Sequence, residues 1–290
     1  MTCCGCEKGN VTMPTLAERL GHAPDARLLI VNCDDIGSSH AANVASEAAM
    51  RSGLATSATL MVPCPWAREA VERFAGLDIG IHLTLTSEYP AYRWRSLTGA
   101  PSLRDAQGYM PRTAAELWAQ ADAQDVEAEC RAQIDQALAW GVDITHLDNH
   151  MGTLQVSAAL FPIYVKLARE YHLPLRMAGQ SADARLGFAG RAQCASAGIL
   201  HPDHFSFQWG TPTAKVFDTY LSAPRPGVTE IILHPVADGE ELAAYDKTEA
   251  WIRTHDAAVG VDGALKARIE AAGVRRISFR GMREAMRAAR

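Results

Sequence analysis

Leu28-Leu29-Ile30-Val31, followed at once by Asn32-Cys33-Asp34-Asp35, is the stretch on which the fold turns. Four consecutive apolar residues suit a strand buried on both faces of a parallel sheet. Two carboxylates directly after such a run are costly to bury alone, so they belong at a strand's C-terminal end, where ligands bind in α/β folds. Working outward, Ser38 or Ser39 can cap a helix over the alanine-rich 41–52, with Gly53 as its stop. Residues 58–62 read as a second strand. Pro65 opens a helix with Trp66, Ala70, Val71 and Phe74 at helical spacing and Gly76 at its end, and 79–83 is the third strand.

Residues 87–112 break this rhythm with three prolines and with Tyr89, Tyr92, Trp94 and Tyr109, which predicts a long loop or cap. Beyond it the pattern predicts a long helix over 113–140, a strand at 143–148, a helix near 157–171 and a strand at 173–177. Residues 180–210 are poorly patterned. A helix at 213–222, a strand at 228–233, helices over 247–258 and 263–272, and a last strand at 276–279 complete the chain. Crossovers of this length imply a mainly parallel sheet, and the expectation is one α/β domain over 25–290, a distorted or incomplete (β/α) barrel. A doubly wound open sheet is the alternative. Residues 1–24 are expected to form a loosely ordered N-terminal arm.

Composition narrows the function. The chain has 290 residues and a formal net charge of -5, without the basic stripe that a nucleic-acid partner would need. No segment reaches the length of a transmembrane helix, and the N-terminus lacks a signal-peptide pattern, so the expectation is a cytoplasmic protein with no membrane partner. Seven cysteines, odd in number and scattered, fit reduced thiols better than a disulfide framework. Cys3 and Cys6 form a Cys-x-x-Cys with no second pair at finger spacing, and no role is assigned to them.

The chemistry gathers at strand ends. Asp34 and Asp35 are adjacent, so one can bind a metal while the other handles protons; a helix cap is the competing explanation. His82 shares a strand face with Gly80 and Thr84, and His146, Asp148 and His150 share one face if their strand continues that far. Three ionisable groups on one face are hard to explain as packing. Position near the loop favours His150 over His146 as a ligand, leaving His146 or Asp148 to orient the ligands. His234 ends an apolar strand ahead of Pro235 and is a candidate general acid. One Asp and two His form a set that suits zinc with a position left open.

Asn32-Cys33-Asp34-Asp35-Ile36-Gly37, Gly80-Ile81-His82-Leu83-Thr84-Leu85-Thr86, Thr145-His146-Leu147-Asp148-Asn149-His150 and Gly227-Val228-Thr229-Glu230-Ile231-Ile232-Leu233-His234-Pro235 together resemble the YdjC-like carbohydrate deacetylases. Four motifs in order carry the resemblance, over residues 28 to 280. It implies a distorted barrel, a divalent metal held by Asp35, His82 and His150, a base at Asp34 and a late histidine at His234. Gly152 stands where members often have a further histidine. The implied reaction is metal-assisted hydrolysis of an N-acetyl group on a sugar or oligosaccharide, with zinc the favoured ion and magnesium, manganese or cobalt as alternatives. Tyr89, Tyr92 and Trp94 could stack on sugar rings; packing within the loop or at a homodimer interface is the competing role. The rival functions are a metal-dependent hydrolase of a non-sugar amide or ester, and a carbohydrate-binding or regulatory relative without turnover.

Overall fold

Residues 14–288 are described by this computed structural model. Their seven strands all pair in parallel: β1 (Arg27–Ile36), β2 (Ser57–Leu60), β3 (Ile79–Leu83), β4 (Ile144–Asn149), β5 (His204–Ser206), β6 (Gly227–Leu233) and β7 (Val274–Arg276). The path is β4-β3-β2-β1-β6-β5, and β7 pairs with the start of β1. Between β4 and β5 the ladder gives way to 173–177. There Leu147 N donates to Pro174 O, Arg176 N to Leu147 O and Leu175 N to Leu200 O, each at 3.0 Å. Strands β1 to β6 therefore succeed one another in sequence order around an axis, as in a barrel, with one irregular seam and with β7 set beside the start of β1.

The two faces of this half-barrel differ in chemistry. Leu29, Val31, Cys33, Ile81, Leu83, Leu147, Ile231 and Leu233 belong to the large core shared with the surrounding helices. Each aliphatic side chain of that layer contributes about 1.5–3 kcal/mol by leaving water. On the other face Leu28, Ile30 and Val228 pack with Phe279 and Met282 as a separate apolar floor. Above that floor the inner groups are polar and buried: Asn32, Asp34, His82, Asp148, Arg176 and Glu230. The apolar run at 28–31 is thus buried on both faces as expected, and every polar group above it needs a partner.

Several elements depart from the sequence reading. The helix expected over 113–140 is two, Ala114–Gln120 and Ala123–Ala139, because Asp122 caps the second through Gln124 N and Asp125 N. An Asp cap of this kind is worth about 1 kcal/mol and outweighs continuous helical propensity. The strand expected at 173–177 is a single bridge, Leu147 to Leu175. The poorly patterned 180–210 holds the helices Gln180–Leu186 and Gly190–Ser196 as well as β5. The last strand ends at Arg276, and Phe279 begins the helix Phe279–Ala288. That helix lies across the N-terminal strand ends, with Arg283 Nη1 donating to Ile144 O at 2.8 Å and Arg280 Nε to Asp78 Oδ1 at 2.5 Å.

Within and just before the loop or cap expected over 87–112, residues 84–100 carry no helix or strand, and Pro101–Leu103 is a single 3-10 turn. Of the arm expected over 1–24, the first thirteen residues, including Cys3 and Cys6, lie outside the described residues. Leu16–Arg19 is a short helix with a Thr15–Glu18 capping box, and Ala17 packs on the floor cluster. Cys33, Cys64, Cys130 and Cys194 are buried free thiols.

Candidate metal and catalytic site

β1 carries an irregularity at the residues that matter. Cys33 pairs with Ala58 and Ile36 with Leu60, so three steps along β1 match two along β2. Asp35 absorbs the extra residue at φ 65°, a left-handed conformation that aspartate tolerates better than most residues. Strict alternation would send Asp34 inward and Asp35 into the outer apolar layer. The bulge turns Asp35 back, so both carboxylates line one cavity of about 440 Å³.

Asp35, His82 and His150 meet there. Asp35 Oδ1 lies 3.3 Å from His82 Nε2 and 3.3 Å from His150 Nδ1. All three residues are buried, and their ligand atoms lie within 4.8 Å of one another. Asp35 Oδ1 is itself buried without a hydrogen bond, while Oδ2 accepts from Arg253 Nη1 at 3.1 Å. An orphaned carboxylate oxygen facing two imidazole nitrogens is the donor set of a borderline divalent cation, and these residues fit one.

The far nitrogens of both rings are taken by carboxylates. Asp148 Oδ1 lies 2.6 Å from His82 Nδ1, and Glu88 Oε2 lies 2.9 Å from His150 Nε2. Burial alone would lower both imidazoles, but Asp148 and Asp35 raise His82 to about 10, and Glu88 and Asp35 raise His150 to about 9. Asp35 is held well below the usual carboxylate range by His150 and His82, against the opposing effect of burial.

Arg176 joins the rest. Its Nη1 and Nη2 donate to the two oxygens of Asp34 at 2.6 and 2.8 Å, Nη1 also lies 2.7 Å from Asp148 Oδ2, and Nε donates to Glu230 at 2.7 Å. Asn32 Nδ2 adds a bond to Asp34 Oδ1 at 2.8 Å. Burial would raise Asp34, yet Arg176 overrides it and keeps this carboxyl low. Glu230, facing only the guanidinium's Nε, is pushed by burial up to about 7. Sequence reasoning missed Arg176, although a charge between Leu175 and Met177 in a buried segment was a signal that carboxylate partners existed.

His234 stands beside this group. Its Nε2 is 3.8 Å from Asp34 Oδ2 and its Nδ1 is 3.9 Å from Asp256 Oδ2, while its backbone N donates to Asp256 at 2.8 Å. Burial lowers its pKa, partly offset by Asp35 and Asp34. Phe207 and Trp209 flank it at 5.5 and 5.1 Å between ring centroids.

His146 is not brought to the cluster. It shares the inner face with Asp148, but two residues of strand rise, about 6.6 Å, set it a layer deeper. There it stacks on Phe279 at 3.8 Å and 9°, with Thr145 Oγ1 2.9 Å from its Nδ1. Gly80 makes room, since a Cβ there would stand 2.5 Å from the ring. Among the cap aromatics only Tyr89 lines the cavity. Tyr92 donates to Ser38 O at 2.5 Å, and Trp94 is buried with Nε1 on Thr86 O at 2.8 Å. Phe205, Phe207 and Trp209 supply the other aromatic wall, from the segment whose pattern the sequence did not reveal.

Residues 28–271 match the family of YdjC-like proteins. A carbohydrate deacetylase of Thermus thermophilus is 45% identical over 158 residues, covering 54% of this chain and 56% of the relative. One of Geobacillus stearothermophilus is 30% identical over 258 residues, covering 88% and 97%. The chain thus aligns with little more than half of the first and nearly all of the second. Among solved structures, a protein of Enterococcus faecalis V583 provisionally assigned to cellobiose-phosphate cleavage superposes with a TM-score of 0.76 at 25% identity, covering 88% of this chain and 98% of that one. Among the described residues no helix is long and apolar enough to cross a membrane.

Proposed function

The chain belongs to the YdjC-like protein family, and from that premise we infer that it hydrolyses the amide of an N-acylated carbohydrate, releasing an acid and an amino sugar. The observation that carries this reading is the cavity itself, where the unpartnered Asp35 Oδ1 with His82 and His150 stands beside Asp34 and His234. The relatives named carbohydrate deacetylase supply the substrate class. Three protein ligands of this type favour zinc. When bound, such an ion supplies Lewis acidity toward the acyl oxygen and lowers the pKa of water.

The chain's own residues account for the proton movements. Asp34 is fixed as an anion by Arg176 and Asn32, and Oδ2, with one guanidinium bond, retains an acceptor position on the side of His234. It takes a proton from the attacking water as the new C–O bond forms. His234, whose Nε2 lies 3.8 Å from Asp34 Oδ2, takes up that proton and delivers it to nitrogen as the C–N bond breaks, because an amine leaves poorly as an anion. The cavity walls exclude bulk water and orient the sugar, with Tyr89 and Trp209 as apolar faces.

The deciding experiment loads the protein with zinc and follows amine release from N-acetylated mono- and oligosaccharides and from simple amides and esters. Release from the sugars supports the reading. Turnover of the simple compounds alone would replace the substrate class, and no turnover with metal bound would leave a binding protein.

A further inference from the structure

The cap reaches the metal-site histidines with a carboxylate that no step above employs. Glu88 Oε2 meets His150 Nε2 at 2.9 Å, on the side of the ring away from Asp35, while Nδ1 faces Asp35 Oδ1 at 3.3 Å. His82 shows the same division with its nitrogens exchanged, Nδ1 on Asp148 at 2.6 Å and Nε2 toward Asp35 at 3.3 Å. A neutral imidazole has one N–H, and only the nitrogen without it has a lone pair for a cation. An ionised carboxylate can accept that N–H but cannot donate, so it fixes which nitrogen carries the proton.

We propose that Glu88 is the positioning residue for His150, holding its N–H on Nε2 and turning the Nδ1 lone pair toward Asp35, so that the cap is a working part of the metal centre. This rests on the metal-site reading above. The cap backbone is built to hold Glu88 in place. Ser87 N donates to Pro111 O at 2.8 Å, Ser87 Oγ accepts from Trp94 N at 3.0 Å, and Trp94 Nε1 is tied to Thr86 O at 2.8 Å. On the other side Tyr89 packs edge-on against Tyr245 at 4.8 Å. Trp94 also sets its ring edgewise to His150 at 6.3 Å, so two cap residues constrain one ligand.

Zinc affinity, measured by competition with a chromogenic chelator, tests this without reference to substrate. Glu88→Ala is expected to weaken zinc by about 10–100-fold, the usual effect of losing a group that orients a ligand. Glu88→Gln keeps an oxygen that accepts from Nε2–H and is expected to remain within about threefold of wild type. The visible spectrum of the cobalt-loaded protein should change in the alanine variant and be restored in the glutamine variant. Glu88→Ser serves as a second truncation if the alanine variant does not fold. Zinc affinity of Glu88→Ala within twofold of wild type overturns the proposal, as do equal losses in Ala and Gln, which would assign the effect to charge alone. His150→Ala separates the levels: if it too leaves zinc affinity unchanged, the metal-site reading falls as well. If it weakens zinc and Glu88→Ala does not, only the role of Glu88 falls.

Discussion

Arg176→Met tests whether one guanidinium holds the inner face of the barrel together. Methionine has similar reach and apolar character, so the substitution removes charge and hydrogen bonds with little change in volume. The guanidinium makes contacts of 2.6, 2.8, 2.7 and 2.7 Å with three buried carboxylates, Asp34, Asp148 and Glu230. Breaking a buried ion pair by removing one partner costs about 3–5 kcal/mol, because the other charge is left without compensation. At about 2–4 °C per kcal/mol for a domain approaching this size, Tm should fall by about 6–20 °C. The loss should depend on pH with a definite sign. Glu230, whose pKa of about 7 is raised from 4.5, contributes stability that is fully present below pH 4.5 and lost as pH rises through 7. Without Arg176, Asp34 and Glu230 lose the cation that opposes the effect of burial, so both rise and take up protons in mild acid. The gap between variant and wild type should therefore be smaller at pH 6 than at pH 8, read from thermal melts of the metal-free protein. A drop below about 2 °C at pH 8, or an equal drop at both pH values, would refute the hub.

His150→Ala should empty the site of metal while His146→Ala leaves it filled and lowers Tm, because His146 packs on Phe279; elemental analysis beside a melt decides, and the reverse pattern would exchange the two roles. Metal affinity should climb between pH 6.5 and 9, by up to about a hundredfold per unit where both imidazoles release a proton, since His82 and His150 stand near 10 and 9 without metal. Over the same range the metal-free protein should lose stability, because a histidine raised from 6.5 stabilises fully below that value and not above its folded pKa; a flat affinity profile would contradict the assignment. Asp34→Asn should retain metal and cut turnover of the proposed reaction by about a hundredfold or more, and undiminished turnover would remove Asp34 as the base.

The strands, the site edge and the residues of the candidate metal cluster were legible because buried parallel strands write continuous apolar runs, and polar groups at their ends interrupt those runs with charge. Leu28–Val31 leading to Asp34 and Asp35 is the plainest case. The bulge that turns Asp35 inward was not legible, since one extra residue in a ladder depends on the partner strand. His146 and His150 looked alike in spacing, and only the depth of the barrel separates them. Arg176, Glu88, Phe207 and Trp209 come from segments with little periodicity, and their roles arise from contacts 25 to 142 residues away, from Trp209 with His234 at 25 and Glu88 with His150 at 62 to Arg176 with Asp34 at 142. Asp122 was present as a helix-start signal but lay inside a stretch helical enough to hide it.

The helix Phe279–Ala288 makes the barrel a cup. Phe279 and Met282 fill the floor beneath Leu28, Ile30 and Val228, and Arg280 and Arg283 fasten the helix to Asp78 and Asp143 at the strand starts. With that end closed, the cavity is approached from the C-terminal ends of the strands, where its lining residues lie. In the proposed reaction the acid forms deep, against the metal-site residues, while the sugar lies across the mouth. Departure is consequently ordered, sugar before acid, and the acid product should inhibit in competition with the incoming substrate; acetate that shows only noncompetitive inhibition would mean that a second exit exists.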